Sequence, residues 1–166
     1  SPRDGETPGV QAVDGSRNQG SRGTGPAVND SFVADSSIAV AWAVPSQSAR
    51  ASEDLLDDVA SGRPFVVPVL WMFEVGNSLL VLKRRKRITA EQYSRAREAL
   101  SRLTPAVDEE GPRLALARIC ELAEEHVLSV YDAAYLELAQ RRRLPLASRD
   151  AALIAAAKRC GVKVLG

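Results

Sequence analysis

The sequence predicts an α/β fold, a parallel sheet covered by helices. From Phe32 onward short apolar runs alternate with longer helical segments, and those segments carry their own start and stop signals. The chain has 166 residues, 45% of them hydrophobic, enough to bury one sizeable core without calling for a second domain.

The elements are expected in this order. Residues 32–35 form a brief strand, 38–44 a short helix stopped by Pro45, and 49–61 an amphipathic helix ended by Gly62. Residues 65–67 form the second strand, and 70–85 a long, largely apolar helix. Thr89 with Gln92 makes a capping box that opens a helix running to Leu103. Residues 105–107 are a weak third strand. Gly111 and Pro112 introduce a helix to about Glu125, 130–142 is another, and 144–148 is the fourth strand. Asp150 caps a last helix to Cys160, and Gly161 turns the chain into a final strand at 162–165. Residues 1–30 are rich in Gly, Ser, Pro, Asp and Asn and lack periodicity, so they read as a flexible tail that is appended or processed, ahead of a domain at 31–166.

The net charge of +1 balances 22 basic against 21 acidic residues, so it names no partner. Nucleic-acid affinity would have to come from local clusters: Arg84 to Arg87 and Arg141 to Arg143 are the candidates, and each run also suits a helix C-terminus as a solvated end. Cys120 and Cys160 lack CxxC spacing and a neighbouring histidine in sequence, and read as buried free thiols. No stretch approaches the roughly 20 apolar residues of a membrane span, and no secretory signal is legible, so a cytoplasmic location is expected.

Four acids occupy positions where a merely structural carboxylate is costly. Asp35 ends the first strand, where open parallel sheets place ligand sites; the competing reading is a cap for the next helix. Glu74 sits in an apolar helix, with Asn77 and Ser78 as its i+3 and i+4 neighbours and no Lys or Arg at those spacings. Either a distant arginine pairs with it or it belongs to a site. Asp132 repeats the puzzle between Tyr131 and Tyr135, with a dipole-favoured place near its helix N-terminus as the alternative. Asp150 follows the fourth strand and would also serve as an N-cap. Four carboxylates gathered at one sheet edge would repel one another unless a divalent cation intervened, and all-oxygen ligation suits Mg²⁺ or Mn²⁺. The natural use of such a centre is phosphodiester hydrolysis, with Glu74 or Asp150 orienting or deprotonating the attacking water.

The stretches VADSSI at 33–38, VPVLWMFEVGN at 67–77, LSVYDAAYL at 128–136 and LASRDAAL at 146–153 resemble the successive motifs of the PIN domain, and more narrowly those of VapC toxins, over about residues 32–166. That resemblance implies a PIN-like three-layer α/β/α fold with a central five-stranded parallel sheet. It also implies a Mg²⁺-dependent endoribonuclease acting on RNA, usually a homodimer and held by a VapB antitoxin. It places Asp35, Glu74, Asp132 and Asp150 on the family's acidic, metal-binding positions. Ser37 falls where a small polar residue supports the first Asp, and Asn77 where Asn is frequent one turn after the Glu.

The acidic set has three rival readings. A phosphatase of the haloacid dehalogenase type needs a second Asp where Ser37 stands, and a receiver domain needs paired early acids and a late Lys that 146–149 does not offer. A PIN-like module that binds RNA or protein without cutting is the reading from outside enzymology. His126, the single histidine, reads as a polar surface residue at a helix end, which disfavours histidine-based mechanisms. Tyr131 and Tyr135 read as packing residues before base-stacking ones, and Trp42 and Trp71 as core or dimer-interface residues.

Overall fold

The computed structural model describes residues 30–165, so the expected tail at 1–30 lies outside the described residues but for Asp30. Five parallel strands, β1 (Phe32–Ala34), β2 (Phe65–Pro68), β3 (Ala106–Asp108), β4 (Leu146–Ala147) and β5 (Val164–Leu165), form one sheet in the order β3-β2-β1-β4-β5. β1 is central and wholly buried, because helices cover both faces of a parallel sheet. The chain runs outward through β2 and β3 on one side, then returns to place β4 and β5 on the other. The sheet therefore reverses its winding between β1 and β4, where doubly wound folds open a crevice at the carboxyl ends of their strands.

One helical layer comprises α1 (Ser36–Ala43), α2 (Arg50–Ala60), α3 (Trp71–Arg84) and α4 (Ala90–Ser101), with a short 3₁₀ turn at Pro45–Gln47. Trp42 of α1 and Trp71 of α3 meet Phe65 of β2 with ring centroids 5.6 and 5.9 Å apart, which ties this layer to the sheet and makes both tryptophans core residues. On the other face α7 (Val130–Arg142) crosses β1, β2 and β4, flanked by α8 (Ala151–Arg159) and by α6 (Cys120–His126). The arrangement is the three-layer α/β/α sandwich expected from the sequence.

Departures from the expected elements have local causes. The helix expected from Gly111 to Glu125 is divided: α5 (Gly111–Leu114) passes through a π-helical turn at Ala115–Ile119 before α6 begins. β4 is shorter than expected because Arg143 adopts a left-handed conformation and Leu144 donates back to Ala139 O at 3.0 Å, closing α7 with a Schellman motif. β5 starts late for the same reason: Gly161 has φ +71° and Val162 donates to Ala157 O at 2.9 Å. α1 begins two residues early, immediately after Asp35. The Thr89–Gln92 capping box forms as expected, with Gln92 N–H donating to Thr89 Oγ1 at 3.1 Å and Thr89 N–H to Gln92 Oε1 at 2.8 Å.

Candidate active site

Asp35 stands at the carboxyl end of β1, with its N–H donating to Ala147 O at 2.9 Å across the crevice. It occupies the N-cap position of α1, yet its side chain makes no capping bond. The carboxylate is instead buried and accepts hydroxyl protons: Ser37 Oγ donates to Oδ2 at 2.6 Å, Ser148 Oγ to the same oxygen at 2.7 Å, and Ser36 Oγ to Oδ1 at 3.3 Å. Ser37 Oγ in turn accepts Arg149 N–H at 2.9 Å, and Ser148 Oγ accepts Asp150 N–H at 3.0 Å. Each of these serines has one proton to give, and the backbone donor on its oxygen commits that proton to Asp35. Burial pushes the Asp35 carboxyl above its ordinary range, the Ser37 and Ser148 hydroxyls pull it part of the way back, and the charge of Asp132 pushes it up again.

Glu74 projects from the first turn of α3 toward the same place. Burial raises its affinity for a proton, a hydrogen bond from Tyr135 opposes the rise, and the charges of Asp35 and Asp132 add to it. No arginine or lysine forms an ion pair with Asp35, Glu74 or Asp132 among the described residues, so the distant-arginine explanation of Glu74 does not hold. Asp132 lies in the first turn of α7, where Ser129 Oγ donates to its Oδ2 at 2.6 Å and accepts its N–H at 3.0 Å. The dipole-favoured placement and the approach to the other acids are both realised there.

Asp150 behaves differently. It is exposed, and its Oδ1 accepts Leu153 N–H at 2.8 Å, an N-cap for α8. The charges that raise Glu74 are those of Asp35 and Asp132 and do not include Asp150. Its link to the other acids runs through its backbone N–H and Ser148. The structure thus brings Asp35, Glu74 and Asp132 within electrostatic reach of one another, with Ser37 against Asp35, and keeps the Asp150 side chain on its helix. Asn77 is exposed one turn after Glu74, with no hydrogen bond among the described residues.

Among the described residues, no three His, Cys, Asp or Glu side chains are already arranged to hold one ion. The donor chemistry still fits a hard divalent cation: three neighbouring carboxylates, two of them pushed up by burial and by the charges of the others, with no paired Lys or Arg among the described residues. Glu74 Oε1 and Asp132 Oδ1 take no hydrogen bond or ion pair among the described residues, while the second oxygen of each is tied to a hydroxyl.

The sequence reading missed Ser148, Ser129 and the hydroxyl of Tyr135. Ser148 was legible in principle, since it follows β4 as Asp35 follows β1 in the next strand position. Tyr135 is fully buried and Tyr131 is exposed, so the two rings do not share a role. Three further expectations need correction. Arg141 and Arg142 are committed to ion pairs with Asp108, so of that run only Arg143 is an exposed arginine outside the ion network. Cys120 and Cys160 are free but only partly buried. His126 is largely covered, and the fold brings its Nε2 to 3.2 Å from Cys160 Sγ, a pairing across 34 residues that no local spacing reveals.

The PIN domain model matches residues 32–159, and the chain belongs to that family. The fold is similar to that of PAE2754 from Pyrobaculum aerophilum (23% identity, TM-score 0.59, covering 78% of this chain and 87% of that one). It is also similar to VapBC2 from Rickettsia felis, solved bound to a DNA fragment from their promoter (14%, TM-score 0.56, 81% and 96%). FitAcB from Neisseria gonorrhoeae is a third likeness (18%, TM-score 0.55, 81% and 96%). A search of curated proteins returned no match. No helix among the described residues is long and apolar enough to cross a membrane.

Proposed function

We propose that this chain is a Mg²⁺- or Mn²⁺-dependent endoribonuclease, the cytoplasmic toxin of a type II toxin–antitoxin pair of the VapBC kind. The observation that carries the reading is the convergence of Asp35, Glu74 and Asp132, with no Lys or Arg paired to them among the described residues, at the crevice between β1 and β4 of a PIN domain. Asp35, Glu74 and Asp132 would hold the metal, with Asp150 at the rim. When bound, the ion supplies Lewis-acid stabilisation of the phosphoryl oxygens and of the departing alkoxide.

The chain's own part is positional and proton-handling. Ser37 and Ser148 fix the Asp35 carboxylate against the turn at 148–150. Glu74 is the better of the two candidate bases, because its environment strengthens its hold on a proton while Asp150 is occupied as a helix cap. Asn77, exposed beyond Glu74, and Ser37 are the positions at which substrate would be met. A homodimer and an antitoxin partner are supported by apolar side chains left in water: Phe73 is 81% and Leu116 94% exposed. Val69, Val130 and Tyr131, also exposed, line an apolar cavity of about 230 Å³.

One observation favours a second reading, a PIN module that binds RNA without cutting it: the three acids do not yet form a ready chelate. A single experiment separates the two. The purified chain is incubated with a mixed RNA pool in Mg²⁺, in Mn²⁺ and in EDTA, alongside Asp35→Ala, with circular dichroism of both proteins. Cleavage that needs metal and falls by more than about 100-fold in a folded Asp35→Ala supports the nuclease. Retention of RNA by both proteins with no new ends supports the binding module.

A further inference from the structure

We propose that Tyr135 is a positioning residue that holds Glu74 in the orientation its site requires; the inference rests on the metal-dependent reading above. Tyr135 belongs to α7 and Glu74 to α3, on opposite faces of the sheet and 61 residues apart in sequence. The tyrosine is wholly buried, and its hydroxyl donates to Glu74 Oε2. Ser36, in the turn that carries Asp35, donates to Asp35 Oδ1 at 3.3 Å. The phenol therefore joins α7 to the Glu74 carboxylate on α3 and ties the two helical layers together at the acidic crevice.

Burial, the hydrogen bond to Glu74, and the charges of Glu74 and Asp35 all push the phenol strongly above its ordinary range, so it stays protonated as a donor. A neutral donor is suited to this place. Lysine or arginine there would neutralise Glu74 and compete with a cation, whereas a hydroxyl fixes one oxygen and leaves the negative charge on the group. The same device recurs at the neighbouring acids. Ser129 ties Asp132 Oδ2, Ser37 and Ser148 tie Asp35 Oδ2, and Tyr135 ties Glu74 Oε2. Glutamate has one more rotatable bond than aspartate, and Tyr135 is the only hydrogen-bond donor to the Glu74 carboxylate among the described residues. Of the three acids, Glu74 thus depends most on a single anchor.

The test is a double-mutant cycle read by Mn²⁺ binding, followed by electron paramagnetic resonance of the free ion. The native chain, Tyr135→Phe, Glu74→Ala and the double variant are compared at one pH. Tyr135→Phe keeps the ring in the core and should weaken Mn²⁺ binding about 10- to 100-fold. In the Glu74→Ala background the same change should cost nothing further, because the hydroxyl acts only through that carboxylate. Equal affinity of Tyr135→Phe and the native chain overturns the proposal. An equal loss in both backgrounds also overturns it, since the hydroxyl would then support the fold at large. If Tyr135→Phe does not fold, Tyr135→Trp and Tyr135→Leu, judged by the same cycle, carry the test. Native protein that cleaves RNA only with metal while Tyr135→Phe binds Mn²⁺ normally rejects this inference alone; a native chain with no Mn²⁺ affinity rejects it together with the nuclease reading.

Discussion

Asp35 shows how burial turns an ordinary side chain into a costly one. The residue is 4% exposed at a strand end, its carboxylate feels the charge of Asp132, and it receives only neutral donors among the described residues. The native state therefore holds its proton more tightly than the unfolded chain does. The sign of the linkage follows: stability is lost as pH rises from the unfolded carboxylate range, about 4, through the higher folded value, and it is regained on acidification through that window. Asp35→Asn keeps an acceptor for Ser37 and Ser148 and removes the charge, so in EDTA at neutral pH it should stabilise the chain by about 1 kcal/mol. Calorimetry of both proteins checks this, and a lower melting temperature for the variant would contradict the account. The contrast with Asp150 is instructive. Both acids precede a helix, yet only Asp150 caps one, because the Asp35 side chain finds hydroxyls just after β4 and in its own turn that a cap would forgo.

At the scale of elements, α7 is tied to β3 and to the start of α5 by Arg141. Its Nε donates to Glu137 Oε1 at 2.8 Å, its Nη2 to Asp108 Oδ2 at 2.7 Å and its Nη1 to Glu110 Oε2 at 3.0 Å, with Arg142 adding a bond to Asp108 Oδ1 at 3.0 Å. Asp108 and Glu137 are buried; Arg141 is the only ion-pair partner of Glu137 among the described residues and shares Asp108 with Arg142. Burial alone would lift the Asp108 carboxyl, but Arg141, the Gly111 N–H and Arg142 outweigh it and hold the group below its ordinary value. Its contribution to stability is therefore present above the unfolded range, about 4, and is lost as pH falls through the depressed folded value. Arg141→Ala should cost about 3–5 kcal/mol at neutral pH. The difference from the native chain should shrink below about pH 4, as Asp108 takes up a proton. Urea unfolding at the two pH values measures both, and a cost independent of pH would remove the ion network as its cause. The same helix carries Asp132 at one end and Arg141 at the other, so the anchor for the fold and the candidate site share one rigid element.

Across the whole molecule the acidic crevice is a place where the fold has accepted repulsion, and a ligand that relieves it should bind the native state alone. Mg²⁺ or Mn²⁺ at a hundred times its dissociation constant should add about 2.7 kcal/mol of stability and raise the melting temperature by several degrees. The rise should be absent in Asp35→Ala; an unchanged melting temperature at millimolar metal in the native chain would count against a metal centre. Much of this architecture was legible before any coordinates. The alternation of short apolar runs with capped helices is a local property, and it predicted the parallel sheet, the Thr89–Gln92 box and the Asp150 cap, because periodicity and capping act over a few residues. Glu74 and Asp132 could be singled out in the same way, as charges on apolar helices with no base within a turn. What required tertiary structure was every pairing between distant segments: Tyr135 with Glu74 across the sheet, Ser148 with Asp35 across 113 residues, Arg141 with Asp108, and Cys160 with His126. A one-dimensional pattern states which face a side chain prefers, and the strand order decides what stands opposite it. The partners of the acids were fixed only when β4 came to lie beside β1 and α7 settled over both.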